Sequence, residues 1–521
     1  MIMVLLISVF LCILVYFFMM YSFTFIISYN YLSFFNFNWL LNFDYDSVTF
    51  CILLMLIVCY SYVYYYNIHY FVGEYIGYQL GKIILLFVSV MCILVSTGDF
   101  LLTLIFWEYL GVVSFFLILF YDNYLSLRSS VVTLVSSRFG DVCLFLLIGL
   151  NCYLYSSVFP CIFMFFFIIF TKSASFPFIS WLLEAMRAPT PVSSLVHSST
   201  LVAAGVWFAM RYDYITFFEE CFYLSCLLIL TIIITGVSSL FFIDLKKIVA
   251  LSTCNNISWC VLYLIYGDFT LSLFQLLSHG VSKCMLFMLI GDIMSGSSGS
   301  QASNCVYSSS LYGNWNILGS FMVILGLSGV PYIGVFFTKH FLLSSFINVI
   351  NVSVNLLICL CMFLSYLYSF RLCKILVNTS CSSSFGMLYF FNSSFMVILW
   401  LFVNYYLFFL LDEVVLVSNY YNISLLLFQV FSIYLCIKIY DSIIISNWSS
   451  SLFGCDNLVE LLYSSFYSLL NLLSLFLFRW DNFILYLFSG LGISSLIKFF
   501  NSYLLNIIII SFFLIFCLLV I

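Results

Sequence analysis

The residues of this chain that could do chemistry are a few ionisable groups set in apolar sequence, and the chemistry they suit is the carriage of protons. Lys172 opens the run KSASFPFISWLLEAMRAPTPVSSLVHSSTLVAAGVWFAMR, which closes on Arg211 and holds His197 and three of the chain's five prolines. A lysine near the bilayer centre costs roughly 2.5–3.5 kcal/mol on insertion scales, so an ionisable residue there marks a functional site by default. Pro177 follows five residues after Lys172. A helix broken at that point frees backbone carbonyls that can solvate a proton or cation. Such breaks are tolerated at membrane depth only inside protein or beside a wet cavity. Glu108 lies mid-segment in DFLLTLIFWEYLGVVSFFLILFYDN, too deep for a short carboxylate to reach water, and it needs a buried partner.

The second half of the chain repeats the theme. In LSLFQLLSHGVSKCMLFMLIGD, Gln275, His279 and Lys283 fall at i, i+4 and i+8, one polar stripe on an apolar helix, which implies a wet interior. The run ILGSFMVILGLSGVPYIGVFFTKHFLLSS again joins a breaker, Pro331, to an embedded cation, Lys339, with His340 beside it. A proline-interrupted span with a lysine in each half is the pattern of an internally duplicated transporter with sites near the midplane. The two halves do not visibly align in sequence, so the duplication is read from their chemistry. Arg138 and Asp141, three apart in SSRFGDVCLF, can meet on one helix face as a local ion pair or belong to the site around Glu108. His197 is open to two readings, a hydrogen-bonded core histidine or a proton relay.

The elements that must position these groups are membrane helices. Hydrophobic residues make up 65% of the chain and charged residues 7%, which excludes an ordinary water-soluble surface. Strand-period alternation is absent, which excludes a transmembrane barrel and leaves an all-α polytopic membrane protein. Polar breaks predict about fifteen transmembrane helices, near 4–28, 47–66, 82–98, 100–121, 130–151, 159–184, 192–211, 220–242, 247–266, 270–292, 317–345, 352–373, 388–411, 424–440 and 504–520. The opening residues lack a basic region and a small-residue cleavage site, and are expected to form a first span and not a signal peptide. Asp456 to Phe488 is a Leu/Phe-rich run too long for one span. It reads either as an amphipathic helix along the membrane or as a tilted or broken extra span.

Basic residues orient the bundle. Arg128, Arg187, Lys246, Lys247, Arg371, Lys374 and Lys438 fall at or just after even-numbered segment ends, and odd-numbered ends show little beyond Arg211. The positive-inside rule puts the even ends, and the N-terminus, in the cytoplasm-equivalent compartment. The 20 cysteines form no C-x-x-C pair, so metal, iron–sulfur and disulfide frameworks lack their ligand spacing, and the cysteines read as small apolar fillers. No G-x-G-x-x-G opens a nucleotide-binding fold, and GSSGS at 296–300 reads as a loop. Phe, Tyr, Cys, Leu and Ser are abundant and Ala, Pro and Gln scarce, a coding bias that suggests an organelle-encoded gene.

The runs FWEYLGVVSFFLI, KSASFPFISWLLEAMRAPTPVSSLVHSSTLVAAG, DLKKIVALST, LLSHGVSKCMLFM and GVPYIGVFFTKHFLL, with FNFNWLLNFDYDS upstream, closely resemble the chain 5 family of NADH–ubiquinone oxidoreductase. These are the antiporter-like membrane-arm subunits of respiratory complex I. The motifs keep the family's order over about residues 95–345. The resemblance implies two inverted five-helix antiporter-like repeats, each with a broken helix, followed by a long lateral amphipathic helix. It also implies N-terminal helices over 1–80, a first repeat over 81–211, a second over 212–373, transmembrane helices over 374–450, the lateral helix over 451–498 and a terminal anchor over 499–521. Glu108 matches the family's buried glutamate, Lys172 and Lys339 the lysines of the two broken helices, and His197, His279 and Lys283 the central relay. Arg138 and Asp141 match the helix beside the glutamate. Gln275 stands where a further histidine is usual and cannot take up a proton, so the relay is expected to lean on water or His279 there. Only one span precedes Asp44 where two are usual, which agrees with an inward N-terminus.

On this resemblance the chain is expected to be a proton-translocating core subunit of a mitochondrial inner-membrane complex, with no redox chemistry, bound cofactor or metal of its own. NADH, FMN, iron–sulfur clusters and ubiquinone are expected in other subunits. The expected partners are other membrane-arm subunits, above all the adjacent antiporter-like one, and lipids including cardiolipin, with no nucleic acid. A subunit of a multisubunit cation/proton antiporter would share the fold and the lysines, but the Asp456–Phe488 run argues against it. A scaffold that has lost transport would leave the embedded charges an unrewarded cost.

Overall fold

A backbone in hydrocarbon must satisfy its own hydrogen bonds, and this chain does so almost entirely as helix. The computed structural model describes residues 23–29, 39–153, 158–212, 221–266, 268–297, 299–309, 313–330, 335–336, 338–339, 352–379, 381–382, 397–398, 400–401, 419–439, 443–490, 492–494, 498 and 504–520. Pro331, His340, residues 4–22 of the first expected span and most of 388–411 lie outside them. Among the described residues, nine helices are long and apolar enough to cross a membrane. The chain divides into two units, residues 1–455 and 456–521.

The first unit opens with a hairpin. Strands β1 (Phe23–Tyr29) and β2 (Trp39–Tyr45) pair antiparallel, Phe23 opposite Tyr45 and Tyr29 opposite Trp39. This corrects the expectation of helix through residue 28. FTFIISY is rich in aromatic and β-branched residues that favour a pleated ribbon. The end of the hairpin is stitched to the turn at 97–99: Gly98 N–H donates to Asn42 O (2.9 Å) and Asn42 Nδ2 to Asp99 Oδ1 (3.1 Å).

The helices follow in order: α1 (Ser47–Tyr70), α2 (Ile76–Ser96), α3 (Phe100–Leu119), α4 (Tyr124–Tyr153), α5 (Val158–Ser173), α6 (Ser180–Ala185), α7 (Thr190–Leu195), α8 (Leu201–Arg211), α9 (Cys221–Ser238), α10 (Leu245–Ile265), α11 (Phe269–Gly296), α12 (Gly313–Ser328), α13 (Val352–Val377), α14 (Asn419–Ile439) and α15 (Ile443–Ser450). Two places in this order are breaks inside an expected span, after α5 and after α12. Between α7 and α8 the backbone widens into a π turn, Val196–Thr200. One continuous apolar core runs through the unit and encloses Trp107, Trp207, Trp259 and Trp400. α10 and α11 are buried on nearly all sides, so residues projecting from them meet protein, not lipid.

Helix ends reach beyond the polar breaks. α2 starts at Ile76, six residues before the expected start, and the domain boundary drawn at 80/81 falls inside it. α4 starts at Tyr124 because Asn123 and Ser126 cap one another: Asn123 N–H donates to Ser126 Oγ (2.9 Å) and Ser126 Oγ to Asn123 O (2.7 Å). α13 runs through Lys374, past the boundary drawn at 373/374. Long basic side chains near a helix end bury their stems and extend their charge, so a lysine there need not end the helix.

The second unit holds α16 (Cys455–Phe488) from its second residue on, and α17 (Leu504–Val520). α16 is one unbroken helix of 34 residues, which removes the reading of a broken span. At 1.5 Å per residue it is about 51 Å long, well over the ~30 Å of hydrocarbon. Its polar residues, among them Asn457, Glu460, Ser464, Ser468, Asn471 and Ser474, recur at three- and four-residue spacing and form one stripe.

Arg211 was the exception to the one-sided distribution of basic residues, and the fold accounts for it. Its guanidinium donates to Asp44 (2.6 Å) and Asp46 (2.5 Å), clamping the end of α8 to the junction of β2 and α1. Charge-assisted bonds of this kind contribute about 1.5–3 kcal/mol. Arg211→Met is therefore expected to lower the thermal unfolding temperature of the detergent-solubilised protein by several degrees. Asp44→Asn should add little on top of it, because the clamp is already gone.

Candidate functional site

Two of the buried lysines, Lys172 and Lys339, lie at helix breaks, and the two breaks close in the same way. At the first, Lys172 lies in the last turn of α5, Ala174 takes a left-handed conformation (φ 55°), and Ser175 N–H donates to Phe170 O (3.2 Å). At the second, α12 ends at Ser328, Gly329 takes φ 89°, and Val330 N–H donates to Leu325 O (3.2 Å). This is the Schellman closure, a six-residue loop through one left-handed residue. Glycine meets the backbone requirement without strain at the second break, whereas the first places an alanine there.

Around Lys172 the charges form a connected group. Arg138 of α4 is ion-paired with Glu108 of α3 and lies 3.5 Å from Asp141 on its own helix. The expectation that Glu108 is buried with a buried partner is corrected: its partner is Arg138, and the pair is partly exposed, 26% for the glutamate side chain and 42% for the arginine, because both face outward from α3 and α4. The local Arg138–Asp141 pair is present as well. Asp141 is the carboxylate that interacts electrostatically with Lys172; Glu108 is engaged by Arg138. The Lys172 ammonium sits 5.0 Å from the centroid of the Trp107 ring, a cation–π arrangement supplied by the residue next to Glu108. Lys172 and His197 line one narrow cavity of 10 Å³ with Ser114, Thr133, Ser136 and Ser137. That is about the volume one water molecule needs, and the hydroxyls offer it partners.

His197 belongs to the π turn and is wholly buried. Its ring lies 6.4 Å from that of Trp181 on α6. A π turn shifts the helix register by one residue and is frequent at functional sites. Here it separates α7, which starts at the Pro189–Pro191 kink, from α8, which packs on α5.

The second lysine is held by one carbonyl its break has freed and by a hydroxyl of the neighbouring helix. Lys339 Nζ donates to Ser328 O (2.8 Å) and to Ser365 Oγ on α13 (2.9 Å). Tyr366 donates to Gly329 O (3.3 Å), and Val335 N–H to Gly326 O (3.1 Å), so these freed carbonyls are satisfied. The residue before Lys339 joins this centre to the stripe on α11: Thr338 Oγ1 donates to Gln275 Oε1 (2.7 Å). One turn on is His279, whose ring nitrogens make no hydrogen bond among the described residues, and a further turn on Lys283 donates to Ser252 on α10. Gln275, His279 and Lys283 are all buried, so the polar stripe read from their spacing faces the bundle interior.

Two basic residues were read as loop markers and are something else. Lys246 is 4% exposed, and its ammonium donates to Ala188 O (3.2 Å) at the start of the proline kink. Arg371 is 2% exposed and donates to Ser239 O and Phe242 O (2.6 Å for the latter), closing the C-terminal end of α9. Lys247 matches the loop reading, half-exposed and 3.2 Å from Asp244. The available signal for Lys246 was that pair: Asp244 and Lys247 satisfy each other at i, i+3 and leave Lys246 without an acidic partner in sequence.

A bundle of long apolar helices, two of them broken beside buried lysines, defines a multi-pass membrane protein of antiporter-like architecture. A model of the NADH:quinone oxidoreductase/Mrp antiporter transmembrane family matches residues 97–367, slightly more than half of the chain. The chain belongs to that family. NADH-ubiquinone oxidoreductase chain 5 of Artemia franciscana is 35% identical over 336 residues, covering 61% of each protein. That of Caenorhabditis elegans is 33% identical over 351 residues, 64% of each. For Anopheles arabiensis the figures are 33% over 328 residues, 59% of this chain and 85% of the relative. The matched region spans about three fifths of the first two relatives. Among solved structures, the Mrp complex from Dietzia sp. DQ12-45-1b shares the fold with a TM-score of 0.60 at 18% identity, over 88% of this chain and 60% of that one. The membrane-bound sulfane sulfur reductase, an archaeal respiratory membrane complex, gives 0.58 at 17%, over 80% and 84%.

The close approach of α8 to α5 fixes the position of Lys172. A Cβ added at Gly205 would lie 3.2 Å from Ile169 O and Ser173 N and 3.5 Å from Lys172 Cβ. Gly205→Val is expected to cost about 1–3 kcal/mol through overpacking. The same change at Gly149, where an added Cβ meets nothing within 4 Å, should be nearly neutral. Thermal unfolding of the two variants side by side checks the difference.

Proposed function

We propose that this chain is a proton-translocating membrane-arm subunit of a respiratory NADH:ubiquinone oxidoreductase, coupling electron transfer elsewhere in the complex to proton pumping across the mitochondrial inner membrane. The observation that carries the reading is the pair of buried lysines at matching helix breaks, with Gln275, His279 and Lys283 between them. On this reading Lys172, His197, His279, Lys283 and Lys339 pass protons, and water completes the path at Gln275, which can accept and donate hydrogen bonds but not take up a proton. NADH, FMN, iron–sulfur clusters and ubiquinone belong to other subunits. The likeness of the two closures, Phe170–Ser175 and Leu325–Val330, supports two repeats within a bundle of about fifteen helices.

Arg138 is the natural switch. It stands between two carboxylates and can give its charge to either. While it is held by Glu108, Asp141 is available to Lys172; when Glu108 is neutralised or displaced, Arg138 turns to Asp141 and the charge that Lys172 faces changes. The proton Lys172 holds is thereby coupled to events at Glu108, the end open to a neighbouring subunit's influence. The adjoining cavity gives the released proton a way to His197 through a single water.

Lys172→Met and Glu108→Gln are each expected to lower proton pumping and coupled NADH oxidation at least about tenfold while leaving assembly largely intact, since a positioned proton-transfer group contributes 10²–10⁴-fold. Pumping and oxidation assays on native-gel-verified complexes decide it. Full pumping by assembled Glu108→Gln complexes would overturn the role of the carboxylate.

The second unit has a different task on this reading. A helix about 51 Å long with one polar stripe suits a brace along the membrane arm. Truncation before Asp456 is expected to weaken attachment to the adjacent antiporter-like subunit more than it unfolds residues 1–455. Native gels and the thermal unfolding of the truncated subunit measure the two effects separately.

A further inference from the structure

A second titratable pair lies away from both lysine centres, at the end of the bundle where α1 and α11 terminate and α7 and α10 begin. His69, in the last turn of α1, places Nε2 3.1 Å from Asp292 Oδ1 on α11. The histidine side chain is 17% exposed and the aspartate wholly buried. One turn inward from His69, the Tyr66 ring is tilted against it with centroids 6.2 Å apart, is itself completely buried, and makes a hydroxyl–hydroxyl hydrogen bond with Thr190 Oγ1 (3.4 Å). Gly291, beside Asp292, lets this contact form: an added Cβ there would lie 3.1 Å from Thr190 Cβ and 3.2 Å from its hydroxyl. Two residues before Thr190, Ala188 O accepts from Lys246 Nζ (3.2 Å).

A partly exposed imidazole thus meets a wholly buried carboxylate at an end of the bundle where Tyr66, Thr190 and Lys246 are also gathered. We propose that the His69–Asp292 pair is a proton-collecting mouth, on the membrane face that carries Lys247, that takes protons from water into the interior of the bundle. The proposal rests on the proton-translocation reading above and adds the port through which that path is filled. Histidine is the one side chain whose ordinary titration lies in the physiological range, and an aspartate beside it can take the proton inward. Each step breaks one bond to hydrogen and makes another: His69 takes a proton from water, which leaves as hydroxide, and Asp292 takes one from the imidazolium across the 3.1 Å contact, which restores the neutral ring. Among the described residues, other titratable groups at this end include Tyr70 on α1 with Tyr121 and Glu74 beside it, the Glu184–Arg187 pair (3.0 Å) before α7, and the Asp244–Lys247 pair at α10. Both carboxylates in those pairs have a cation of their own, which leaves Asp292 as the buried acid that faces the histidine.

The test uses the assembled complex in sealed inner-membrane vesicles, with the initial rate of NADH-driven proton uptake measured between about pH 6 and pH 8 in the compartment facing Lys247. His69→Gln and Asp292→Asn are expected to slow uptake about tenfold at the alkaline end, where protons are scarce, and much less at the acidic end. Asp292→Glu, which keeps the carboxyl, should restore most of the rate and the shape of the profile. A purely structural clip between α1 and α11 would instead lower complex content without changing the profile. An unchanged profile in assembled His69→Gln complexes overturns the proposal, and if Asp292→Asn fails to assemble the His69→Gln result decides alone. Lys172→Met, run in parallel, separates the two claims: normal pumping there overturns the translocation reading itself, whereas lost pumping with an unchanged His69→Gln profile overturns only the mouth.

Discussion

The structure turns on the cost of holding ammonium groups away from water. Several kcal/mol per buried ion must be offset by nearby dipoles, and a regular helix has none to spare because its carbonyls are committed to the next turn. At Lys172 and Lys339 the chain interrupts the helix; Lys283, inside unbroken α11, is met by the Ser252 hydroxyl. At the second centre the break frees Ser328 O, and Lys339 takes it. At the first no carbonyl is taken: among the described residues the ammonium makes no hydrogen bond and faces the Trp107 ring, with Asp141 acting on it electrostatically. Lysine, break and neighbouring helix form one unit in each case. A healed break at the second centre would return the carbonyl to the helix and leave the cation without its partner, a loss larger than the ~1 kcal/mol that one more backbone hydrogen bond contributes.

The same economy explains why the charges around Lys172 are linked and not isolated. One guanidinium serves two carboxylates, so any movement of Glu108 is felt at Asp141 and then at the lysine. The packing leaves little slack for other responses. α8 approaches α5 at Gly205 closely enough that the lysine's own Cβ is a neighbour, and the π turn that carries His197 lies directly before α8. A rearrangement at this centre therefore has few outlets, one of which is the water-sized cavity between Lys172 and His197.

Much of this was legible in the residues. The i, i+4, i+8 spacing of Gln275, His279 and Lys283 gave their common face, and Pro177 beside Lys172 gave the first break. Hydropathy located most helices because hydrocarbon enforces helix wherever apolar residues run on, but it placed ends poorly. Ile76 and Tyr124 begin their helices well before the apolar run, since capping and interfacial residues are polar and still helical. It also misread residues 23–28, where a hairpin satisfies the backbone as well as a helix would. Lys246 and Arg371 were missed for a different reason. Their sequence setting is that of ordinary loop cations, and only the tertiary fold brings Ala188 O, Ser239 O and Phe242 O to them. The pairing of Glu108 with Arg138 likewise depends on how α3 meets α4, which a one-helix spacing argument cannot supply.

The central claim is that the lysines at the helix breaks carry protons and are not merely tolerated there. The most direct measurement is the number of protons pumped per NADH oxidised by intact complexes in sealed membranes, compared between the native chain and Lys339→Met. The account predicts a lower ratio, or pumping and oxidation lost together, in complexes that assemble normally. An unchanged ratio at an unchanged rate would contradict it.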